Sequence, residues 1–72
     1  MIIMEYVTIQ TPYIKLDQFL KLAGAASTGG EAKIMIMNGQ IKINGVISKE
    51  RGKKLHKDDI IEINESKHYQ II

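Results

Sequence analysis

The sequence contains no cysteine, no long apolar run and only a small excess of positive charge, +2 at pH 7. Without cysteine the chain can form neither disulfides nor a thiolate metal site, which excludes a disulfide-stabilised secreted domain. Glu5 interrupts the apolar N-terminal residues before they are long enough for a signal peptide or a membrane span, and no basic leader precedes them. We therefore expect a cytoplasmic protein without a membrane partner, whose fold depends on apolar packing.

The residue patterns of catalysis are also missing. A predicted strand separates His56 from His68, and no serine, histidine and acidic residue have the spacing of a catalytic set. Asp58-Asp59 directly precedes a predicted strand, where a turn explains the two aspartates better than a metal site or a carboxylate pair does. We expect neither enzymatic activity nor a bound metal or cofactor.

The stretch from Thr28 to Gly45 predicts a helix followed at once by a hairpin. Thr28 and Glu31 have the spacing of a capping box, in which each side chain accepts from the backbone N–H of the other residue. The predicted helix covers about residues 31–38, with Ala32, Met35 and Ile36 on its buried face, and ends at Asn38-Gly39.

The hairpin prediction depends on one dipeptide. Ile41 and Ile43 alternate with polar residues up to Asn44-Gly45, the pair that best tolerates the two positive φ angles of a type I′ turn. We therefore expect a two-residue hairpin with Asn44 and Gly45 at its centre.

A second helix is predicted at about residues 16–23, before the first. Leu16, Phe19, Leu20 and Ala23 have the i, i+3, i+4, i+7 spacing of an amphipathic helix. The short linker 25–27 makes the two helices neighbours, with Phe19, Leu20, Met35 and Ile36 predicted in a common core.

Strands are predicted at both ends of the chain. In residues 2–10 the side chains of β-branched and aromatic type alternate roughly between two faces, which predicts a strand. Glu5 lies on an otherwise apolar face, which is typical of a strand at a sheet edge. Residues 60–63 and 68–72 are rich in β-branched side chains and are also predicted to be strands. The predicted fold class is α+β, with two packed short helices against a small mainly antiparallel sheet and added N- and C-terminal strands. We expect one domain over residues 1–72.

Four short pieces, K-L-D at 15–17, T-G-G-E-A-K at 28–33, N-G at 44–45 and R-G-K-K-L at 51–55, together resemble the S4 RNA-binding domain, which is named after a small-subunit ribosomal protein. The match covers about residues 15–63 and is most similar to the stand-alone YaaA-like group. The resemblance implies an S4, or alpha-L-like, fold without a catalytic domain. It also implies binding of structured RNA, with ribosomal RNA in ribosome assembly or maturation as the expected target and ribosomal proteins as further partners.

Positive charge is concentrated in the middle of the chain. Residues 15–54 contain eight basic and three acidic side chains, a local balance of +5, and residues 48–57 are predicted to form an exposed basic loop. A nucleic acid is one partner that fits this distribution, through phosphate contacts, and an ordinary solvated surface fits it equally well.

The glycines at the predicted helix N-terminus have two interpretations. They would let a phosphate approach free backbone N–H groups beside Lys33, or they simply permit the tight linker between the helices. Gly29 departs from the wider S4 family, in which many members have an arginine directly after the helix cap, so a forked guanidinium contact is in doubt there. The predicted RNA-binding residues are Lys15, Thr28, Gly29, Gly30, Lys33, Lys42, Arg51, Lys53 and Lys54.

The predicted site is dominated by lysine and poor in stacking aromatics, which is consistent with recognition of RNA shape and backbone more than base sequence. A second function class remains open. Ile34 and Met37 lie off the predicted buried face, where we expect a terminal strand to cover them; the alternative is a partner surface. In that case the chain would be a small adaptor that binds a protein through these residues or through an edge strand.

Overall fold

The structure is a computed structural model and describes residues 3–72. Along the chain it contains β1 (Met4–Val7), β2 (Ile14–Lys15), α1 (Leu16–Leu22), α2 (Gly29–Met37), β3 (Ile41–Ile43), β4 (Val46–Ile47), β5 (Lys54–Leu55), β6 (Ile60–Ile63) and β7 (Lys67–Ile71). None of the helices in this range is long and apolar enough to cross a membrane.

The described strands form two sheets. The larger has the order β1-β7-β6-β3-β4, in which β1 and β7 run parallel and all other neighbours run antiparallel. The smaller consists of β2 and β5, paired antiparallel. The α+β prediction with a mainly antiparallel sheet is confirmed. The prediction of a continuous exposed loop at 48–57 is wrong in part, because Lys54–Leu55 forms β5 and Leu55 is fully buried.

The core lies between the helices and the larger sheet. Leu16, Phe19 and Leu20 of α1 are fully buried, as their spacing predicts. Phe19 contacts Tyr69 of β7 edge to face, with 5.7 Å between the ring centroids and 83° between the planes. Met35, also predicted in the core, is only partly buried. Successive helical residues are rotated by about 100°, so Met35 lies at the border of the buried face that Ala32 and Ile36 define.

Helix α2 begins two residues earlier than predicted. Thr28 is its N-cap, and the Thr28 hydroxyl accepts from the Glu31 N–H at 3.1 Å, which is one of the two bonds of the predicted capping box. Gly29 and Gly30 therefore form the first turn of the helix and do not belong to the linker. The helix ends at Met37, and Gly39 has the predicted left-handed conformation with φ +74°.

The outer side of α2 is not covered by a terminal strand, contrary to the first expectation. Ile34 is 62% exposed and Met37 is 59% exposed. The terminal strands β1 and β7 pair with each other within the larger sheet, and α2 contributes Ala32 and Ile36 to the core under it. The side of α2 that carries Ile34 and Met37 is therefore open to solvent.

The N-G hairpin is confirmed. Asn44 has φ 51° and Gly45 has φ 87°, and they connect β3 to β4 as the central pair of a two-residue turn. The Asn44 side chain donates to the Asp59 carboxylate at 3.0 Å and accepts from the Ile60 N–H at 2.9 Å, so it joins the hairpin to the turn before β6.

The N-terminal strand is shorter than predicted. It covers Met4–Val7, and Ile2, where the predicted strand began, lies outside the described residues. Its predicted position at a sheet edge is confirmed, since β7 is its neighbour on one side and Glu5 is exposed. At the other end the predicted strand 68–72 is observed as Lys67–Ile71.

Candidate nucleic-acid interface

The basic loop caps the first helix. Lys15 is the N-cap of α1 but makes no side-chain capping bond. The first helical N–H groups donate instead to loop carbonyls, that of Leu16 to Lys53 at 2.9 Å and that of Asp17 to Arg51 at 3.1 Å. Because helix N-termini leave N–H groups without intrahelical partners, this pairing fixes the loop against the start of α1.

The pairing of β2 with β5 brings further cations to the same place. Lys15 and Lys54 are directly opposite each other in the antiparallel register. Like charges at such positions destabilise a sheet, so their juxtaposition is not explained by folding stability. We call Lys15, Arg51, Lys53 and Lys54 the basic loop cluster. All four side chains are exposed, and within residues 3–72 none of them forms an ion pair with a carboxylate.

A second group of predicted residues lies at the start of α2. Thr28, Gly29, Gly30 and Lys33 are all exposed. Neither glycine has a positive φ. A Cβ at Gly29 would meet no atom within 4 Å, and one at Gly30 would only approach the Thr28 hydroxyl at 3.9 Å. Neither backbone conformation nor space within the chain requires glycine here. Helix α1, whose start carries the basic loop cluster, packs against α2, which carries this second group.

Lys42 does not join either group. It lies in β3, and its ammonium is 3.2 Å from the Glu65 carboxylate and 3.6 Å from that of Glu62. The hydrogen bond to Glu65 and the two nearby negative charges raise the pKa of Lys42 above its usual value. Glu62 also contacts the His68 ring nitrogen at 3.0 Å. The charge of Lys42 is therefore compensated by one carboxylate of β6 and one of the turn that follows it.

The structure adds three residues that sequence analysis missed. Lys49 and His56 line a cavity of about 610 Å³ together with Lys53 and Lys54, between the N-G hairpin and the basic loop. Tyr13 lies beside His56, with 6.3 Å between ring centroids. No local pattern signals this arrangement, because it depends on the register between β2 and β5. In the described residues 3–72, no group of three or more histidine, cysteine or acidic side chains is arranged to hold a metal ion.

A protein-family model and several known proteins match this chain. The family model for the S4 domain matches residues 7–72. The chain is 35% identical over 66 residues to the probable ribosome maturation protein RlbA of Bacillus subtilis (strain 168), covering 92% of this chain and 93% of that protein. It is 36% identical over 44 residues to the putative RNA-binding protein YbcJ of Escherichia coli (strain K12), covering 61% of this chain and 63% of YbcJ.

Two solved structures share the fold. The solution structure of YbcJ from E. coli, described as containing an ALFAL motif involved in RNA binding, has a TM-score of 0.67 and 25% identity over 96% of this chain and 85% of YbcJ. The crystal structure of the 30S ribosomal protein S4e from Thermoplasma acidophilum has a TM-score of 0.64 and 25% identity over 85% of this chain. The chain matches 32% of the S4e chain, about a third of its length. The predicted S4-type α+β fold is therefore confirmed.

Proposed function

Because the chain belongs to the S4 domain family, we propose that it is a non-catalytic protein that binds structured RNA, with ribosomal RNA during ribosome maturation as its target. The relatives support the RNA partner, since one is named a probable ribosome maturation protein and another a putative RNA-binding protein. The structure of this chain supports the proposal with a candidate binding surface.

The observation that carries the proposal is the basic loop cluster. Two backbone hydrogen bonds, from Leu16 and Asp17 to the loop carbonyls, and the pairing of β2 with β5 hold four exposed cations at one end of α1. Cations without carboxylate partners are free to neutralise phosphates, which releases counterions and favours binding. Asp17 and Glu50 are the acidic residues next to the cluster along the chain. The Asp17 carboxylate accepts from the Gln18 N–H at 2.8 Å.

The proposed RNA-binding surface also includes the start of α2. Gly29 and Gly30 leave backbone N–H groups accessible, and the positive end of the helix dipole and Lys33 favour an anion there. The lack of any steric need for glycine supports this interpretation over the tight-linker interpretation. Lys42 contributes less, because Glu62 and Glu65 already compensate its charge.

Salt dependence of RNA binding tests the proposal. We expect the logarithm of the binding constant for a ribosomal RNA fragment to fall with the logarithm of salt concentration, with a slope of about −3 to −5 if four or five cations meet phosphates. Replacing Lys53 and Lys54 together with alanine should flatten that slope by nearly two. Both residues are exposed, so the free energy of unfolding should change by less than about 0.5 kcal/mol.

A charge-matched control distinguishes the effect of the basic loop cluster from that of the overall positive charge of the protein. Lys21→Ala combined with Lys67→Ala removes the same number of positive charges from exposed positions outside the basic loop cluster, and it should leave the slope nearly unchanged. If the Lys53 and Lys54 variant binds RNA as tightly as the parent, with the same slope, the cluster is only a solvated surface.

The exposure of Ile34 and Met37 supports a second candidate function, an adaptor that binds a protein through the outer side of α2. An adaptor of this kind should show little retention by RNA at any salt concentration. Crosslinking in cells distinguishes the two functions, since only the RNA-binding function predicts recovery of a defined ribosomal RNA segment.

A further inference from the structure

An exposed pair of aromatic rings stands at the end of the smaller sheet. Ile14 pairs with Leu55 across β2 and β5, so Tyr13 and His56 are the next residues outward, Tyr13 just before β2 and His56 just after β5. Their ring centroids are 6.3 Å apart and the planes are tilted by 51°. The sequence predicts a site poor in stacking aromatics, whereas the strand pairing creates this pair from residues distant in the chain.

The two rings do not belong to the core. Tyr13 is 38% exposed, whereas Phe19 and Tyr69 are almost completely buried. The His56 side chain is 60% exposed. A single exposed ring is ordinary on a protein surface, but two neighbouring rings beside a basic surface form an aromatic surface that a ligand can reach.

Hydrogen bonds fix the backbone on both sides of the pair. The His56 N–H donates to the Asp59 carboxylate at 2.8 Å, and the other oxygen of that carboxylate accepts from the Asn44 side chain. The Thr11 hydroxyl donates to the Tyr13 carbonyl at 2.8 Å. The rings are therefore carried by ordered backbone, which lowers the entropy cost of placing a ligand on them.

Cations surround the same place. The Lys54 ammonium lies 4.9 Å from the Tyr13 ring centroid, within the range of a cation–π contact. His56, unlike Tyr13, also lines the cavity of about 610 Å³ with Lys49, Lys53 and Lys54. The exposed Val46 and Ile47 contribute to its apolar side, and two acidic residues, Glu50 and Asp59, line it as well. This volume lies within the range of small-ligand pockets. Two exposed rings next to a cavity lined by three lysines and two carboxylates suit a nucleotide, which has a flat base and a charged phosphate.

We propose that Tyr13 and His56 form a stacking platform for one unpaired nucleobase of the bound RNA, which stacks on one ring and meets the other, tilted by 51°, with its edge. The phosphate of that nucleotide is held by Lys54 and its neighbouring lysines. A base within a duplex is stacked on both faces and cannot reach such a platform, so the ligand is a bulged, looped or terminal nucleotide. The flexible Lys54 side chain moves from the Tyr13 ring to the phosphate when RNA binds. This inference rests on the proposed RNA-binding function and adds a preference for unpaired bases to it.

The test compares two RNA hairpins that differ only in one bulged nucleotide, a fluorescent purine analogue. We expect the parent protein to bind the bulged hairpin more tightly and to change the fluorescence of the analogue. Loss of one base–aromatic stack corresponds to about a 5- to 150-fold loss of affinity. Tyr13→Ala should show that loss for the bulged hairpin only, while Tyr13→Phe, which keeps the ring, should bind like the parent.

Two further variants complete the design. Tyr6→Ala removes another exposed tyrosine, 62% exposed on the edge strand β1, and should leave binding of both hairpins unchanged. His56→Ala provides the same test as Tyr13→Ala if the latter does not fold, as judged by far-ultraviolet circular dichroism.

The outcomes separate this inference from the proposed function. If Tyr13→Ala and His56→Ala bind both hairpins like the parent, or weaken both equally, the platform is refuted, and a normal salt slope would leave the RNA-binding function intact. If the parent binds neither hairpin at low salt, the proposed function fails and the platform fails with it. Because stacking involves no charge, Tyr13→Ala should keep the salt slope of the parent, unlike the Lys53 and Lys54 variant.

Discussion

Replacement of Phe19 by alanine should remove a large part of the stability of this domain. The side chain is fully buried, and its truncation loses both transfer free energy and packing around the cavity that remains, about 3–5 kcal/mol. The edge-to-face contact with Tyr69 accounts for about 0.5–1.5 kcal/mol beyond area burial and is lost with the ring. A domain of this length has a total stability of about 4–11 kcal/mol, so the variant is expected to be marginally folded.

The measurement is urea unfolding followed by far-ultraviolet circular dichroism, with the midpoint and the slope fitted together. Phe19→Leu keeps an apolar side chain and should lose about 1–2 kcal/mol, which gives a measurable transition if the alanine variant is unfolded. Leu22→Ala is the matched control, because Leu22 lies in the same helix and is 57% exposed; it should change stability by about 0.5 kcal/mol or less. A loss below about 1 kcal/mol for Phe19→Ala would show that the helix-pair core is wrongly placed.

Three further predictions concern the turn, alkaline pH and the outer side of α2. Gly45→Val forces a β-branched residue to φ 87° and should cost about 1–3 kcal/mol in urea unfolding, whereas Gly52→Val, at an open position without positive φ, should cost little. Burial, with a smaller contribution from Glu5, raises the pKa of Tyr69, so the folded phenol stays protonated where the unfolded one ionises. Stability should therefore fall as pH rises above about 10, and Tyr69→Phe should reduce that fall. Serine at both Ile34 and Met37 should leave stability and RNA affinity nearly unchanged; a large loss of RNA affinity would place the outer side of α2, in addition to its start, in the RNA interface.

Local patterns determined much of the architecture. Three predicted features depend only on residues that are close together in the sequence, and all three are observed: the Thr28 cap, the helix end at Asn38-Gly39 and the Asn44-Gly45 turn. The helical spacing of Leu16, Phe19 and Leu20 predicted a buried face for the same reason. Such features can be predicted from the sequence because capping, turn geometry and amphipathic periodicity each involve only a few neighbouring residues.

Burial at the margins of the helices was decided by the tertiary structure. Ile34 has the same side chain as Ile36, and Met37 is also apolar. The sequence alone did not show that the terminal strands would pair with each other and leave this side of α2 open. Met35 illustrates the same limit on a smaller scale, since its exposure depends on how α2 is rotated against the core.

The sequence predicted several residues of the candidate site. Contacts between segments that are distant in the chain bring those residues together. The sequence indicated a basic middle region, but its cations are divided by the fold. Lys15 lies opposite Lys54 across two strands, whereas Lys42 of the larger sheet pairs with Glu62 and with Glu65 of the following turn. The pairing of Tyr13 with His56 has the same origin. Strand register is a non-local property that no short pattern encodes, so the sequence determined which side chains were available and the tertiary structure decided which of them lie together.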